Sequence, residues 1–420
     1  MPHLLSKKAL NFIGFLLIIT AVLLGILLSQ RQILYRAFAV LTGSYSSLPD
    51  TTNNIHLGLP FNFRINNPQD EEGKVDFVWG SSYPGQPPGV YNTYYYPYDR
   101  EPAGGHTVSW FQKNHPDWIE YHCDKKTIAY EFGQSQVPLD ITNPAVLSYM
   151  EATYLAPNLK SGSGYQGIAF DNPNFENDGK WTGQRCGHFN SSGKWVAQFN
   201  GAQDDPAYRQ AIIQWANTMQ QWLHSQFPGA TMGVNFSFDV RYPSDSDTLL
   251  SEMDIDTDEN GFTNGNNAPP WYYADTSWIA KMQALQNFLS AGHGLFSINQ
   301  EPVSFSHLTH NQVQWALANY LLIKNNASYI NITGYQEYGN LDIRTEYSAP
   351  IGNATGAMYS SQNGYMRDFS NGKAIVNPSS SKTITISLPA NTYQDLYRHI
   401  ISWPFTLAAH SGIVLLNIKG

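Results

Sequence analysis

From residue 165 onward the chain alternates short apolar runs with longer amphipathic ones, and this alternation confines it to a parallel sheet covered by helices. The spacing predicts strands over 165–171, Thr231–Phe236, Met253–Asp258, Gly294–Asn299 and Tyr329–Gly334, with helices over 205–227, 276–291 and 309–323 between them. Parallel strands need a crossover of a dozen or more residues, and a helix is the usual one. The segment 205–227 reads as such a crossover: Ile212, Trp215, Met219 and Leu223 fall on one stripe, and Gly229 lies beyond its end. Upstream, Val75–Gly80, Ile119–His122 and Val137–Ile141 read as further strands, and Asn143-Pro144 opens a helix running to Tyr154. The Pro-, Gly- and Tyr-rich stretch Pro84–Pro102 reads as a long loop. About eight strands select a closed (β/α)8 TIM barrel of the α/β class over an open sheet. After Glu346 the texture changes to short β-type runs, Lys373–Asn377, Thr383–Ser387 and Ile413–Asn417, which predict a small antiparallel β-sandwich-like module. The expected organisation is therefore an anchor and tether over 1–45, the barrel over 46–345 and the β module over 346–420.

The N-terminus points to a membrane. Lys7 and Lys8 precede an apolar run from Ala9 to Leu28, broken only by Asn11 and Thr20, and about 20 apolar residues span a bilayer as a helix. No small-residue cleavage site follows, which favours a retained anchor over a removed signal peptide. The folded part is then expected outside the cytoplasm, periplasmic or extracellular. Cys123 and Cys186, the only cysteines, are either one bridge or two free thiols. A net charge of −9 with 24 Lys and Arg in 420 residues argues against a nucleic-acid surface, since phosphate binding needs clustered cations. A neutral ligand suits this charge better, and 14% aromatic residues supply flat faces of the kind that pack on sugar rings.

Against this frame, the run Gly167-Ile-Ala-Phe-Asp171-Asn172-Pro173 reads as a buried strand that delivers a carboxylate to its C-terminal tip, where barrel enzymes do their chemistry. The alternative is an Asp that caps the next loop or helix. A second carboxylate is expected opposite, in the acidic stretch Ser251–Phe262. With the strand over Met253–Asp258, Glu259 is the acid at the rim and Glu252 lies at the base; with the strand over Thr248–Glu252, the roles reverse. Two carboxylates suffice for glycoside hydrolysis, one donating a proton to the leaving oxygen and the other attacking the anomeric carbon or activating water. The same stretch also begins like a calcium loop, Asp256-Thr-Asp258-Glu-Asn260-Gly261, but its twelfth position is Asn267 where a bidentate Glu belongs. His307 and His310 lack a third ligand at metal-site spacing.

The segments Trp110–Trp118, Leu139–Pro144, Gly167–Asn172, Asp258–Asn264 and Asn371–Pro378 together resemble glycoside hydrolases of the TIM-barrel type, the hypothetical glycosyl-hydrolase-like families allied to α-galactosidase-like enzymes. The resemblance covers roughly residues 70–400. It implies that Asp171, ending the fourth strand, is the nucleophile and that Glu259, on the sixth, is the acid/base. Around the pair, Asp140, Asn172, Asn235, Asn299 and Tyr335 or Glu337 are candidates to hold sugar hydroxyls, and Trp79, Tyr83, Trp110 and Trp118 are candidate stacking platforms. The expected protein is a monomeric, membrane-anchored glycoside hydrolase that needs no cofactor or metal. The alternatives are an inactive carbohydrate-binding barrel and a calcium-dependent surface protein.

Overall fold

Eight parallel strands form one sheet, in the order in which the chain visits them, with a two-stranded hairpin inserted after the fourth. They are β1 (Gly58–Pro60), β2 (Phe77–Ser81), β3 (Tyr91–Pro97) and β4 (Gly167–Asp171), then, beyond the hairpin of β5 (Gly187–Phe189) and β6 (Trp195–Ala197), β7 (Thr231–Asn235), β8 (Ile255–Asp258), β9 (Gly294–Glu301) and β10 (Ser328–Gly334). The computed structural model describes residues 55–61, 75–87, 89–131, 136–177, 183–263, 274–338, 344–389 and 392–418. The apolar run Ala9–Leu28 and Asn267 lie outside these residues. The sheet closes on itself: Leu57 bridges Ile330, the Ile330 amide donates to His56 O at 3.0 Å, and Asn331 Nδ2 donates to Gly58 O at 3.1 Å.

Closure buries the inward side of each strand. Phe77, Trp79, Tyr91, Ala169, Ile255, Phe296, Ile298 and Tyr329 meet in one cluster, with the Phe77 and Tyr329 rings 4.8 Å apart and stacked. Gly58 has a steric reason here, since a Cβ at that position would lie 2.2 Å from the Phe296 ring. Such an interior is filled by side chains and leaves chemistry to the rim.

The crossovers start where the sequence supplies caps. Between β3 and β4 run α1 (Val108–Asn114), α2 (Pro144–Met150) and, after a π turn over Glu151–Leu155, α3 (Ala156–Leu159). Asn143 caps α2 by accepting from Ala145 N at 3.0 Å, with Pro144 in the first turn where its missing N–H costs nothing. Further on come α4 (Pro206–Gln226), α5 (Pro243–Ser251), α6 (Asp275–Ser290) and α7 (His310–Ile323), the last opened by a Thr309/Gln312 capping box. No helix among the described residues is long and apolar enough to cross a membrane.

Two of the eight strands differ from the sequence expectation. Ile119–His122 and Val137–Ile141 are not barrel strands; they meet each other and their neighbours only through isolated antiparallel bridges such as Ile119 to Leu139. Their places are taken by β1, a three-residue strand ahead of the first expected one, and by β3, inside the expected loop. The β3 residues Tyr-Asn-Thr-Tyr-Tyr-Tyr-Pro lack the aliphatic signature of a buried strand, yet tyrosines line both of its faces. Tyr91 and Tyr95 pack inward, while Tyr94 and Tyr96 belong to the layer beneath the helices.

Beyond the barrel, β11 (Tyr359–Ser361), β12 (Gly364–Phe369), β13 (Gly372–Asn377), β15 (Tyr393–Asp395) and β17 (Ser411–Asn417) make a five-stranded antiparallel sheet. The pair β14 (Ile384–Ile386) and β16 (Phe405–Leu407) packs on it through Met366, Ile375, Ile384, Ile386, Leu407 and Leu415. Its other face rests on α7, where Gln314 Oε1 accepts from Val414 N at 2.8 Å and Arg367 donates to Leu321 O at 3.1 Å and Lys324 O at 2.8 Å. Barrel and β module thus share a core and belong to one compact unit.

Candidate active site

Three neighbouring strands deliver the site. β4 ends on Asp171, β7 on Asn235, and Glu259 follows the last residue of β8. Asn172 turns the chain away immediately after Asp171 with φ +70°, a left-handed conformation that Asn tolerates better than most residues. The turn carrying Glu259 is braced from below. Asp258 pairs with Lys281 at 2.5 Å and accepts from Ser237 Oγ and Gly261 N, both at 3.1 Å. Asn299 Oδ1 accepts from Phe262 N at 2.8 Å, and Gly261, at φ +51°, leaves no room for a Cβ, which would lie 2.5 Å from that oxygen.

Asn235 joins the two carboxylates. Its Nδ2 donates to Asp171 Oδ1 at 2.8 Å and to Glu259 Oε2 at 2.7 Å. Two bonds diverging from one planar amide nitrogen hold the accepting oxygens roughly 5 Å apart. Asp171 Oδ2 also accepts from Asn172 Nδ2 at 3.0 Å and Tyr95 Oη at 2.9 Å, whereas Glu259 Oε1 pairs with the Tyr338 hydroxyl. Gln300 Nε2 donates to Glu259 O at 2.9 Å and to Tyr338 Oη at 3.4 Å.

The donor inventory separates the two acids. Each Asp171 oxygen faces an amide nitrogen, which can only donate, so both oxygens are committed as acceptors and the group is suited to be ionised. In Glu259 only Oε2 faces such a donor; Oε1 faces a hydroxyl, which can donate or accept. A single proton shared by the pair therefore belongs on Glu259 Oε1. Electrostatics agree: burial first and the Asp171 charge second push Glu259 up to about 7, although part of its side chain remains open. Burial also raises Asp171, but hydrogen bonds from Asn235 and Tyr95 and the Arg100 charge oppose that rise. As in other close carboxyl pairs, the protons come off in linked steps.

Asp171, Glu259, Asn172 and Asn235 are brought together. Tyr335, 43% exposed, stands on the loop after β10 at the same end of the barrel, its amide donating to Glu301 O at 2.9 Å. Tyr83, 40% exposed, instead lies near the N-terminal ends of β3 and β4, its carbonyl accepting from Asn92 Nδ2 at 2.9 Å, and so falls away from the site. Other candidates lie elsewhere. Trp79 is buried in the barrel interior beneath Phe61 and Tyr95, at ring distances of 5.1 and 6.2 Å, and offers no open face. Asn299 is fully buried, its amide donating to Ser297 and Asn331 O, so it supports the Glu259 turn. Trp110 lies on α1, stacked on His106 at 3.7 Å, and Trp118 is buried against His115. Asp140 sits in a separate buried cluster, accepting from Gln198 Nε2 at 2.7 Å and Thr142 Oγ1 at 2.6 Å, beside His188 at 3.3 Å. Glu337 accepts from Phe305 N at 2.6 Å, and Glu252 is the cap residue at the end of α5, bonded to Asn217. The rim acid is thus Glu259 and the basal one Glu252. Asp256–Asp258 is strand and not the start of a calcium loop, and among the described residues no group of three or more His, Cys, Asp or Glu is placed to hold a metal ion.

Sequence reasoning missed Tyr95, Gln300 and Tyr338. Tyr95 was hidden by the reading of β3 as loop; once β3 is a strand, period two puts Tyr95 on the inward side with Tyr91. Tyr338 lies past the last strand, where no periodicity operates.

Cys123 and Cys186 are bridged, with sulfurs 1.97 Å apart. Next to the bridge, Arg185 inserts between Asp99 at 2.6 Å and Glu131 at 3.2 Å, and Arg100 pairs with the same two acids. This buried ionic group ties the segment after β3 to the loop after β4, both at the site's end of the barrel.

The chain matches no sequence-family model and no curated protein. Among solved structures it is similar to Eubacterium rectale Amy13B, at 11% identity over 89% of this chain and 97% of that one, with a TM-score of 0.48. It is also similar to a family GH13_31 enzyme, at 13% identity over 88% and 99% with a TM-score of 0.48. A third likeness is to the alpha-galactosidase from Lactobacillus brevis, at 11% identity over 79% and 45% with a TM-score of 0.37. Scores of this size carry no argument about chemistry, which rests on the side chains of the site.

Proposed function

We propose that this protein is a retaining glycoside hydrolase acting on a neutral oligo- or polysaccharide outside the cytoplasm. The observation that carries the reading is the Asn235 amide, which holds Asp171 and Glu259 on one nitrogen at 2.8 and 2.7 Å. Retaining enzymes keep their carboxyls roughly 5–5.5 Å apart, whereas inverting ones leave roughly 6.5–9.5 Å for a water. In this reading ionised Asp171 attacks the anomeric carbon while neutral Glu259 supplies the proton that the departing oxygen needs. Glu259, then a carboxylate, takes a proton from the water that hydrolyses the ester. Asn235, Tyr95 and Asn172 are already aimed at the carboxylates and need no reorganisation during the reaction. Tyr335 offers exposed aromatic surface at the mouth. The bridged cysteines support an oxidising compartment, and the apolar run Ala9–Leu28 supports attachment to a membrane.

The test is a panel of aryl glycosides and cell-wall or capsule polysaccharides, with the anomer first released identified by proton NMR. The expected outcome is turnover with retained configuration, abolished in a folded Asp171→Asn protein. An inverted product would refute the assigned mechanism, and full activity in Asp171→Asn would remove that residue from it.

A further inference from the structure

We propose that Tyr338 is a catalytic residue: its hydroxyl relays the proton from Glu259 to the departing glycosidic oxygen. The inference rests on the two-carboxylate reading above and on the hydrogen-bond inventory around one oxygen. Asn235 Nδ2 donates to Glu259 Oε2 at 2.7 Å, so neutral Glu259 carries its hydrogen on Oε1, and the group at Oε1 is the Tyr338 hydroxyl. A phenol oxygen accepts two hydrogen bonds and donates one. Gln300 Nε2, which can only donate, points at Tyr338 Oη from 3.4 Å. With Glu259 Oε1–H as the second donor, both acceptor positions of Tyr338 are filled, and its own hydrogen is left to point elsewhere. Tyr338 is partly exposed, at the same end of the barrel as Tyr335, and its ring stands edge-on to Phe61 at 5.5 Å. Phe61 also packs on Tyr95, the donor to Asp171, with ring centroids 5.6 Å apart. The relay and the nucleophile's support are therefore set in one aromatic group.

In the first step the Glu259 Oε1–H bond breaks as that proton joins Tyr338 Oη, and the phenolic hydrogen passes to the glycosidic oxygen. The carbon–oxygen bond breaks with its electron pair going to that oxygen, while Asp171 forms an ester to the anomeric carbon. In the second step water attacks that carbon, the ester bond breaks to regenerate the Asp171 carboxylate, and a water proton returns through Tyr338 to Glu259. Tyrosine is regenerated in each half, and no oxidant or co-reactant is required.

The test uses the full chain in detergent, with the phenyl and 2,4-dinitrophenyl glycosides of whichever sugar the wild-type protein cleaves. Tyr338→Phe is expected to lower kcat/KM about 10²–10³-fold on the phenyl substrate and about threefold or less on the dinitrophenyl one, whose leaving group needs no proton. A merely positioning Tyr338 would produce a similar split, so the deciding measurement is a proton inventory on the phenyl substrate in mixed H2O and D2O. The relay requires a curved inventory in wild type, because two protons move together, and a straight one in Tyr338→Phe. A straight wild-type inventory, or a Tyr338→Phe protein with wild-type rates on both substrates, would overturn the relay and leave Glu259 as direct donor. Glu259→Gln separates the two levels: full activity there on the phenyl substrate would remove Glu259 as the acid and the relay with it while leaving a glycosidase, whereas absence of any turnover in wild type would defeat the glycosidase reading itself.

Discussion

Glu259 is neutral at moderate pH because its carboxyl is desolvated beside the Asp171 charge, and this has a kinetic signature. Burial and that charge push Glu259 up to about 7, and in the proposed mechanism the acid must be protonated to work, so kcat/KM on a substrate with a poor leaving group should fall as pH rises past about 7. The sign follows from the role: a base in the same place would gain activity over that range. In the proposed mechanism Asp171 must be ionised, and its protonation should set the acidic limb. In Glu259→Gln the basic limb near 7 should vanish, because the group that titrates there is gone. A basic limb unchanged in that variant, measured from pH 4 to 9, would assign the titration to another residue. The strand-end position of Asp171 was legible from local sequence, since a short apolar run bounded by turn residues shows where a strand stops, whereas the acidic stretch Ser251–Phe262 allowed two registers and left Glu259 and Glu252 as alternatives. The partners of the two acids were not legible: Tyr95 is one of four tyrosines in seven residues, and nothing local marks Tyr338.

At the scale of elements, the rim is held by pieces far apart in sequence. The β5–β6 hairpin lies against Tyr121, whose amide donates to Gly187 O at 2.8 Å, and the Cys123–Cys186 bridge closes a 63-residue separation around the Asp99/Arg100/Glu131/Arg185 group. Cross-linking a loop of that length restricts the unfolded chain, by roughly 2–4 kcal/mol in typical cases. Replacing both cysteines by serine should therefore lower the unfolding free energy by about that amount in urea titrations, with activity lost at lower urea than in wild type. An unchanged midpoint would mean that the ionic group alone holds these loops. The helices from 144 onward were legible because caps and apolar stripes are local signals. The error at 119–122 and 137–141 has a physical cause: Ile119–Tyr121 and Val137–Ile141 are buried, as strands are, but they pair only through isolated antiparallel bridges outside the barrel sheet. Burial alone does not say which sheet a segment joins.

For the whole molecule, the β module is seated on α7, the helix between β9 and β10, so the last crossover of the barrel also forms part of the module's core. The remaining prediction concerns location and rests on Ala9–Leu28. The full-length protein should sediment with membranes, and removal of the first 40 or so residues should release a soluble, folded protein. Mass spectrometry of the membrane-extracted chain should find that segment still attached; a mature chain beginning near Ser29 would show instead that it had been cut off. The alternation of strand and helix, the helix starts and Asp171 at a strand tip are determined by the sequence by itself, because periods of 2 and 3.6 and capping chemistry act within a few residues. Only the tertiary structure decided that β1 and β3 complete the barrel, that Asn235 spans the two carboxylates, and that Tyr338 meets Glu259. Those relations depend on closure of the sheet, which brings strands distant along the chain to one rim, and on the hydrogen-bond donors gathered there, which distinguish two acids that burial raises alike.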